Sequence, residues 1–288
     1  NDFENGRKIK RIALKHKITL IEDNAIYFDN YNKKKIKYFS GSLGDFSIYS
    51  FNIMKNISSF YGGAISTNNQ EFKNFYEKEY EKLKNFPKLP LIKQILIFVI
   101  LKIMSVTILF KIFFIHIIKL AHRYNIELIL KLIYPSLKSI KKKLPNYYYS
   151  KISNLSIFVT YLQLKNEKKR EKIFDLRKIK NAYYQKNIKM IKNNLYKINI
   201  IYKNFQNFLD FPLLVKNKKS LNKYLLKNGI EVRYKHYYNC EKLFNNNKNC
   251  TNAERYENEL ICLPTNPKID FSYMDKVIYK INQYYSSL

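Results

Sequence analysis

The chain has 288 residues and is 46% hydrophobic, enough to bury a substantial core and too apolar for wholesale disorder. Its 53 Lys+Arg against 22 Asp+Glu give a formal charge of +31, a balance found in nucleic-acid binders and in proteins at anionic membranes. Only seven of these cations are Arg, the residue whose planar fork reads bases and phosphates, and the lysines are spread along a chain also rich in Asn, Ile and Tyr. That pattern fits A/T-rich codon usage, so no specific nucleic-acid partner is expected.

Cys240, Cys250 and Cys262 are odd in number and form no CxxC pair, and His236 beside Cys240 is too little for zinc, so neither a disulfide framework nor a metal site is expected. A reducing compartment follows. Arg7 to His16 carries Ile9, Ile12 and Ala13 at helical spacing, and Ile18 to Asp23 reads as a buried strand ending in two acids. Phe46 to Phe51 and Ala64 to Thr67 supply two further strands, which makes the first 68 residues part of an α/β layer. Four of the six glycines, Gly41, Gly44, Gly62 and Gly63, fall in this region and concentrate its backbone demands there.

After Pro87 and Pro90, Leu91 to Leu120 is almost wholly Ile, Leu, Phe and Val, interrupted by Lys93, Lys102, Lys111 and Lys119. The longest charge-free run is eight residues, short of the roughly 20 a bilayer core requires. Lysines nine residues apart lie about half a turn from one another, so they gather on no single polar face. Two broken helices are expected, either lying in a lipid interface with snorkelling lysines or buried against protein. Beyond Pro135 and Pro145, Ile152 to Asn193 reads as one or two long helices, with Leu155, Phe158, Val159 and Leu162 as an inner stripe. The remainder predicts a strand at Phe208–Val215, a helix at Ser220–Lys227 ended by Gly229, strands at Ile230–His236 and Leu260–Leu263, and a last helix from Tyr273. Asn245 to Asn247 is a loop-like polar tract.

The glycine-dense region reads Ile21-Glu22-Asp23-Asn24-Ala25, then Gly44-Asp45, Ser50-Phe51-Asn52-Ile53-Met54-Lys55-Asn56 and Gly62-Gly63-Ala64. It resembles the DegT/DnrJ/StrS sugar aminotransferases, fold-type I enzymes that use pyridoxal 5'-phosphate (PLP) and carry E-D-x-A, G-D, S-F-x-x-x-K-N and G-G-A. Gln163-Leu164, Arg177, Asn181 to Tyr184, Asn228 to Arg233 and Leu263-Pro264 are similar to later landmarks of that family. The resemblance implies a mixed-sheet PLP-binding large domain and a small C-terminal α+β domain. Residues 1–74 are then part of the large domain, 75–145 a hydrophobic helical insertion, 146–200 long connecting helices and 201–288 the small domain.

By this resemblance Lys55 is the catalytic amine, forming a Schiff base with the cofactor aldehyde and carrying protons. Asp23 holds the pyridinium nitrogen, Ser50 donates to the phosphate, and Asn52 is a secondary contact. Gly62 and Gly63 serve a tight turn, and none of His16, His116, His122 or His236 has a catalytic partner nearby in sequence. Expected partners are a keto-sugar on a nucleotide or a lipid, an amino-acid donor such as glutamate, and a second copy in a homodimer, in the cytoplasm and either free or at the inner membrane surface through 91–120. Three departures stand out. Ile26 replaces a polar residue common in relatives, residues 75–145 replace a shorter connection, and the chain begins without the well over a hundred residues that members carry before the E-D-x-A strand, as the carboxy-terminal part of such an enzyme would. A rival reading keeps the fold without the reaction, as a membrane-associated scaffold.

Overall fold

The structure is a computed structural model describing residues 3–26, 28, 40–53, 55–133, 144–189, 195–197, 209–234, 237–243 and 250–287. Pro135, Asn193, Phe208, His236 and Asn245 to Asn247 lie outside the described residues. The chain divides into two compact units, one made of residues 1–100, 141–174 and 201–207, the other of 101–140, 175–200 and 208–288.

In the first unit, helix α1 (Phe3–Lys15) leads through Lys17, in the left-handed region at φ 54°, into strand β1 (Ile21–Asn24). The expected strand begins three residues earlier. Leu20 instead donates its N–H to Asp45 Oδ2 (2.8 Å) and accepts from the Asp45 N–H (2.8 Å), so this stretch ties down the approach to the next strand. Strand β1 pairs in parallel with β2 (Phe46–Ser50), which pairs antiparallel with β3 (Gly63–Thr67), giving a mixed three-stranded sheet. Side chains alternate along β1, so Glu22 and Asn24 turn inward while Ile21 and Asp23 stay exposed.

Helices α2 (Gln70–Lys82), capped by the Asn69 side chain on the Phe72 N–H (2.8 Å), and α3 (Lys88–Met104) follow. α3 has no fully buried residue but sets Phe98 edge-on against Phe60 at 5.7 Å. Tyr61 is enclosed by Phe86, Tyr147 and Tyr148, the last two on a short 3-10 turn, Asn146–Tyr149. The apolar tract breaks at Ser105, whose hydroxyl bonds the Lys102 carbonyl (2.7 Å). It resumes as α4 (Thr107–Leu109), a π-helical turn at Phe110–Phe114, α5 (Ile115–Arg123) and α6 (Glu127–Ile133). Among the described residues no single helix is long and apolar enough to cross a membrane.

The stripe expected on the next helix, α7 (Asn154–Lys165), faces outward except at half-buried Val159. Leu155, Phe158 and Leu162 are 41%, 56% and 48% exposed, and the inward face is Ser156, Thr160 and Gln163. Polar groups win that face because Gln163 is held to a backbone loop by direct hydrogen bonds. On α1 only Ala13 of the expected apolar set is buried; Ile9 and Ile12 are exposed.

The second unit takes in most of α8 (Glu167–Asn187) and an antiparallel sheet of β4 (Leu195–Lys197), β5 (Asp210–Val215) and β6 (Leu260–Pro264). Its core packs Tyr184, Phe211, Leu213, Leu221, Leu225, Ile261 and Leu263 against Met274, Val277 and Ile281 of α12 (Phe271–Ser286). Helix α9 (Lys218–Lys227) stops at Gly229, whose φ of 76° lets the Ile230 N–H return to the Leu225 carbonyl (2.9 Å). Short helices α10 (Cys240–Leu243) and α11 (Thr251–Glu259) precede β6. In place of the strand expected at 230–236, among the described residues only Arg233 pairs with Cys262, donating 3.1 Å to its carbonyl and accepting 2.9 Å from its N–H.

Candidate functional site

Because β1 and β2 run parallel, their carboxyl ends open on one edge of the sheet, where ligands gather in α/β folds. Asp23 lies opposite Ile48, and Ser50, two residues further on, shares that face. The two acids of β1 have divided roles. Glu22 accepts from the N–H groups of Gly41 (3.1 Å), Leu43 (2.7 Å) and Gly44 (2.6 Å), fixing the loop that enters β2. Asp23 accepts from the Ala25 N–H through Oδ1 (2.9 Å) and leaves its side chain exposed at the strand end. Asn24, buried, takes a bond from the Ser40 hydroxyl.

Beyond Ser50 the chain makes a tight loop that returns at Gly62. Phe51 N–H donates to the Gly62 carbonyl (2.9 Å), extending the β2–β3 ladder past its end. Gly62 has φ 116°, and a Cβ there would collide with Ile152; one on Gly63 would collide with the Tyr49 carbonyl. Both glycines are therefore required by the turn. Inside the loop, the buried Ser59 hydroxyl donates to the Phe51 and Tyr61 carbonyls, each at 3.0 Å, while Ile57 and Phe60 bury their side chains. Lys55 rides on this loop, half-buried, its N–H bonding the Asn52 carbonyl (3.3 Å) and its carbonyl accepting from the Ser58 hydroxyl (2.6 Å).

Asn52 uses its side-chain oxygen twice within the protein, accepting from the Ile53 N–H (2.7 Å) and from Gln94 Nε2 (2.9 Å). Gln163 is the contributor that spacing alone did not single out. Its Oε1 accepts from the Ser58 N–H (3.1 Å) and its Nε2 donates to the Ser58 carbonyl (2.5 Å), pinning the Lys55 loop to α7 from 105 residues away. Asp45 was likewise visible only as part of a motif; it braces β1 and takes the Thr67 hydroxyl on its carbonyl (2.7 Å). The Tyr49 hydroxyl donates to the Ser40 carbonyl (3.2 Å), and burial followed by the Glu22 charge pushes its pKa up. Ile26 is 58% exposed, His16 is exposed, and His122 packs on the Tyr234 ring at 5.7 Å. Among the described residues no group of three His, Cys, Asp or Glu could hold a metal.

The first unit thus sets an acid at one parallel strand end and a lysine on the loop beyond the next, and the second is a small α+β unit. The chain belongs to the DegT/DnrJ/EryC1/StrS aminotransferase family, whose model matches residues 4–86 and 138–282. The chain is similar to Helicobacter pylori PseC, an aminotransferase involved in the biosynthesis of pseudoaminic acid, at a TM-score of 0.62 and 16% identity, covering 98% of this chain and 64% of that one. It is also similar to S. venezuelae DesV in complex with a ketimine intermediate (0.62, 14%, covering 99% and 62%). A third similar structure is E. coli GDP-4-keto-6-deoxy-D-mannose-3-dehydratase with bound hydrated PLP (0.61, 17%, covering 97% and 64%). At these identities the likeness shows the fold, and the chain spans less than two thirds of each of these relatives. No curated protein matches the sequence.

Proposed function

We propose that the protein is a PLP-dependent aminotransferase that moves an amino group from an amino acid such as glutamate to a keto-sugar on a nucleotide or lipid carrier, in amino-sugar and polysaccharide biosynthesis. The observation that carries this reading is the placement of Asp23, Ser50 and Lys55 at the carboxyl ends of two adjacent parallel strands, within a matched family region. Their chemistry suits the cofactor. An exposed carboxylate is on hand for a ring N–H, a hydroxyl for a phosphate oxygen, and an amine on a braced loop for the aldehyde. Glu22 is committed to three backbone N–H groups, which leaves Asp23 as the acid of the pair that can face a ligand.

When bound, PLP supplies the electron sink for the carbanion left when the substrate carbon loses its proton. Asp23 accepts the hydrogen bond of the protonated ring nitrogen and so keeps that positive charge in place. Ser50 orients the phosphate, with Asn52 a secondary contact already turned toward Gln94. Lys55 takes the proton from the donor carbon and returns it elsewhere, a step in which a positioned base contributes roughly 100- to 10,000-fold. A lysine there also favours amino transfer over the dehydration named for the E. coli relative. The protein acts in the cytoplasm as a homodimer, with its apolar tract either packed against protein or resting on the inner membrane surface.

The test is formation of 2-oxoglutarate from glutamate by the full-length protein with PLP, dependent on added keto-sugar nucleotide. Lys55→Ala should lose at least about 100-fold. Turnover equal to wild type in Lys55→Ala would overturn the role given to Lys55, and none with any keto-sugar while PLP stays bound favours the scaffold reading instead.

A further inference from the structure

The second unit contains a cavity of about 630 Å³ between the apolar tract and the small α+β sheet and helices. Its tract wall runs from Met104 to Lys119, inside the stretch 87–137 that the family model leaves unmatched, while the facing wall, from Lys227 to Lys276, lies within the matched region. Two features define its chemistry. Lys111, Lys119, Lys227, Lys268 and Lys276 line it, against only two carboxylates, Glu231 and Asp270. The Asp270 carboxylate is engaged in capping α12, accepting from the Tyr273 N–H (2.7 Å) and the Ser272 hydroxyl (2.9 Å). The floor is apolar, with Met104 and Phe110 packed on buried Ile115.

Two of the lysines are already braced toward the cavity rim. Lys119 Nζ donates to the Lys227 carbonyl (3.2 Å) and Lys268 Nζ to the Ser105 hydroxyl (3.3 Å). Ammonium groups gathered round one concavity repel each other until an anion with several oxygens shares them, and lysine meets phosphate as a mobile point charge. The same helical turns carry exposed Ile108, Ile112, Phe113 and Leu120, at 68%, 56%, 57% and 49% exposure. Around them, residues 83–126 contain no Asp or Glu. A basic hollow with an apolar floor, beside an apolar and acid-free surface, matches an amphiphile better than a fully hydrated anion.

We infer that this cavity, whose lining includes none of Asp23, Ser50 and Lys55, binds a phosphate group carried on an apolar chain, as in a phospholipid headgroup.

The experiment titrates the full-length protein calorimetrically with dihexanoyl phosphatidate below its micelle concentration, with inorganic pyrophosphate, and with dihexanoyl phosphatidylcholine. Each is repeated on the triple variant Lys111→Gln, Lys268→Gln, Lys276→Gln and on a control of equal charge, Lys78→Gln, Lys168→Gln, Lys219→Gln. A lysine facing an anionic lipid contributes about fivefold, so the cavity triple should weaken phosphatidate on the order of 100-fold while the control stays within about twofold. Phosphatidylcholine should bind far more weakly than phosphatidate. An equal loss in both triples would reduce the effect to overall charge and overturn the site. Pyrophosphate binding as tightly as phosphatidate would identify a soluble phosphate as the source and overturn the apolar half of the inference, and absence of phosphatidate binding would overturn it entirely. Matching thermal midpoints of the two triples exclude unfolding as the cause.

Discussion

Replacing Gln163 with Leu tests whether the loop bearing Lys55 is held from α7. The side chain keeps its size but loses both bonds to Ser58, an acceptance of its N–H at 3.1 Å and a donation to its carbonyl at 2.5 Å. Two neutral hydrogen bonds, each worth about 0.5–1.5 kcal/mol net, put the cost at about 1–3 kcal/mol, toward the lower end because Ser58 is only partly buried and water can reach it. The opening equilibrium of the loop should then rise by about 5- to 150-fold, readable as faster amide hydrogen exchange. The informative amide is that of Ser59, which bonds Phe51 and not Gln163. If the clamp acts on the whole loop, Ser59 loses protection along with Ser58, and Gln163→Glu, which keeps the acceptor alone, falls between. Loss confined to Ser58, with Ser59 at its wild-type rate, would refute the reasoning and leave Gln163 a local contact.

Three further outcomes follow from the geometry. Glu259 is partly buried, which by itself raises its carboxyl pKa, but hydrogen bonds from Lys216 and Arg255 carry it below the ordinary 4.5. Its contribution is therefore present above pH 4.5 and lost as pH falls through the depressed value, so the stability gap between wild type and Glu259→Gln should close in acid melts. Burial in β6 pushes the Cys262 thiol up to about 12, while Cys240 and Cys250 are exposed; a thiol reagent at pH 8 should titrate two groups quickly and the third only on unfolding. Gly62→Ala should destabilise the first unit by about 2 kcal/mol in denaturant melts. Adding Ile152→Ala to remove the clash should recover only part of that, because the φ of 116° remains unfavourable for any Cβ.

Strands β2 and β3 and the glycines between them were legible because the turn's requirements are written into residue types: only glycine supplies the φ of Gly62 or the close approach at Gly63. In the small α+β sheet, β5 and β6 were legible from continuous apolar runs, the second stopped by Pro264, whereas the strand expected after Gly229 is a single bridge at Arg233 and β4 fell in a stretch read as helical. The face of α7 was not, since periodicity detects an apolar stripe without saying what covers it. Here Ser156, Thr160 and Gln163 turn inward, Gln163 to make long-range polar bonds, and Leu155, Phe158 and Leu162 remain outside. The start of β1 was misjudged for a related reason: the Leu20 backbone is engaged by Asp45, a partner 25 residues away. In the site, the residue types were readable from the motif, while the division of work between Glu22 and Asp23 required the strand's alternation and the fold of the Gly41–Gly44 loop.

The central claim is that Lys55, out of 46 lysines, is the amine that holds the cofactor. The most direct measurement loads the full-length protein with PLP, fixes the linkage with borohydride and maps by mass spectrometry the peptide that carries the added mass. The account predicts one dominant labelled peptide containing Lys55, absent from Lys55→Ala and reduced in Asp23→Ala. Labelling spread over exposed lysines, with Lys55 unmodified, would contradict it.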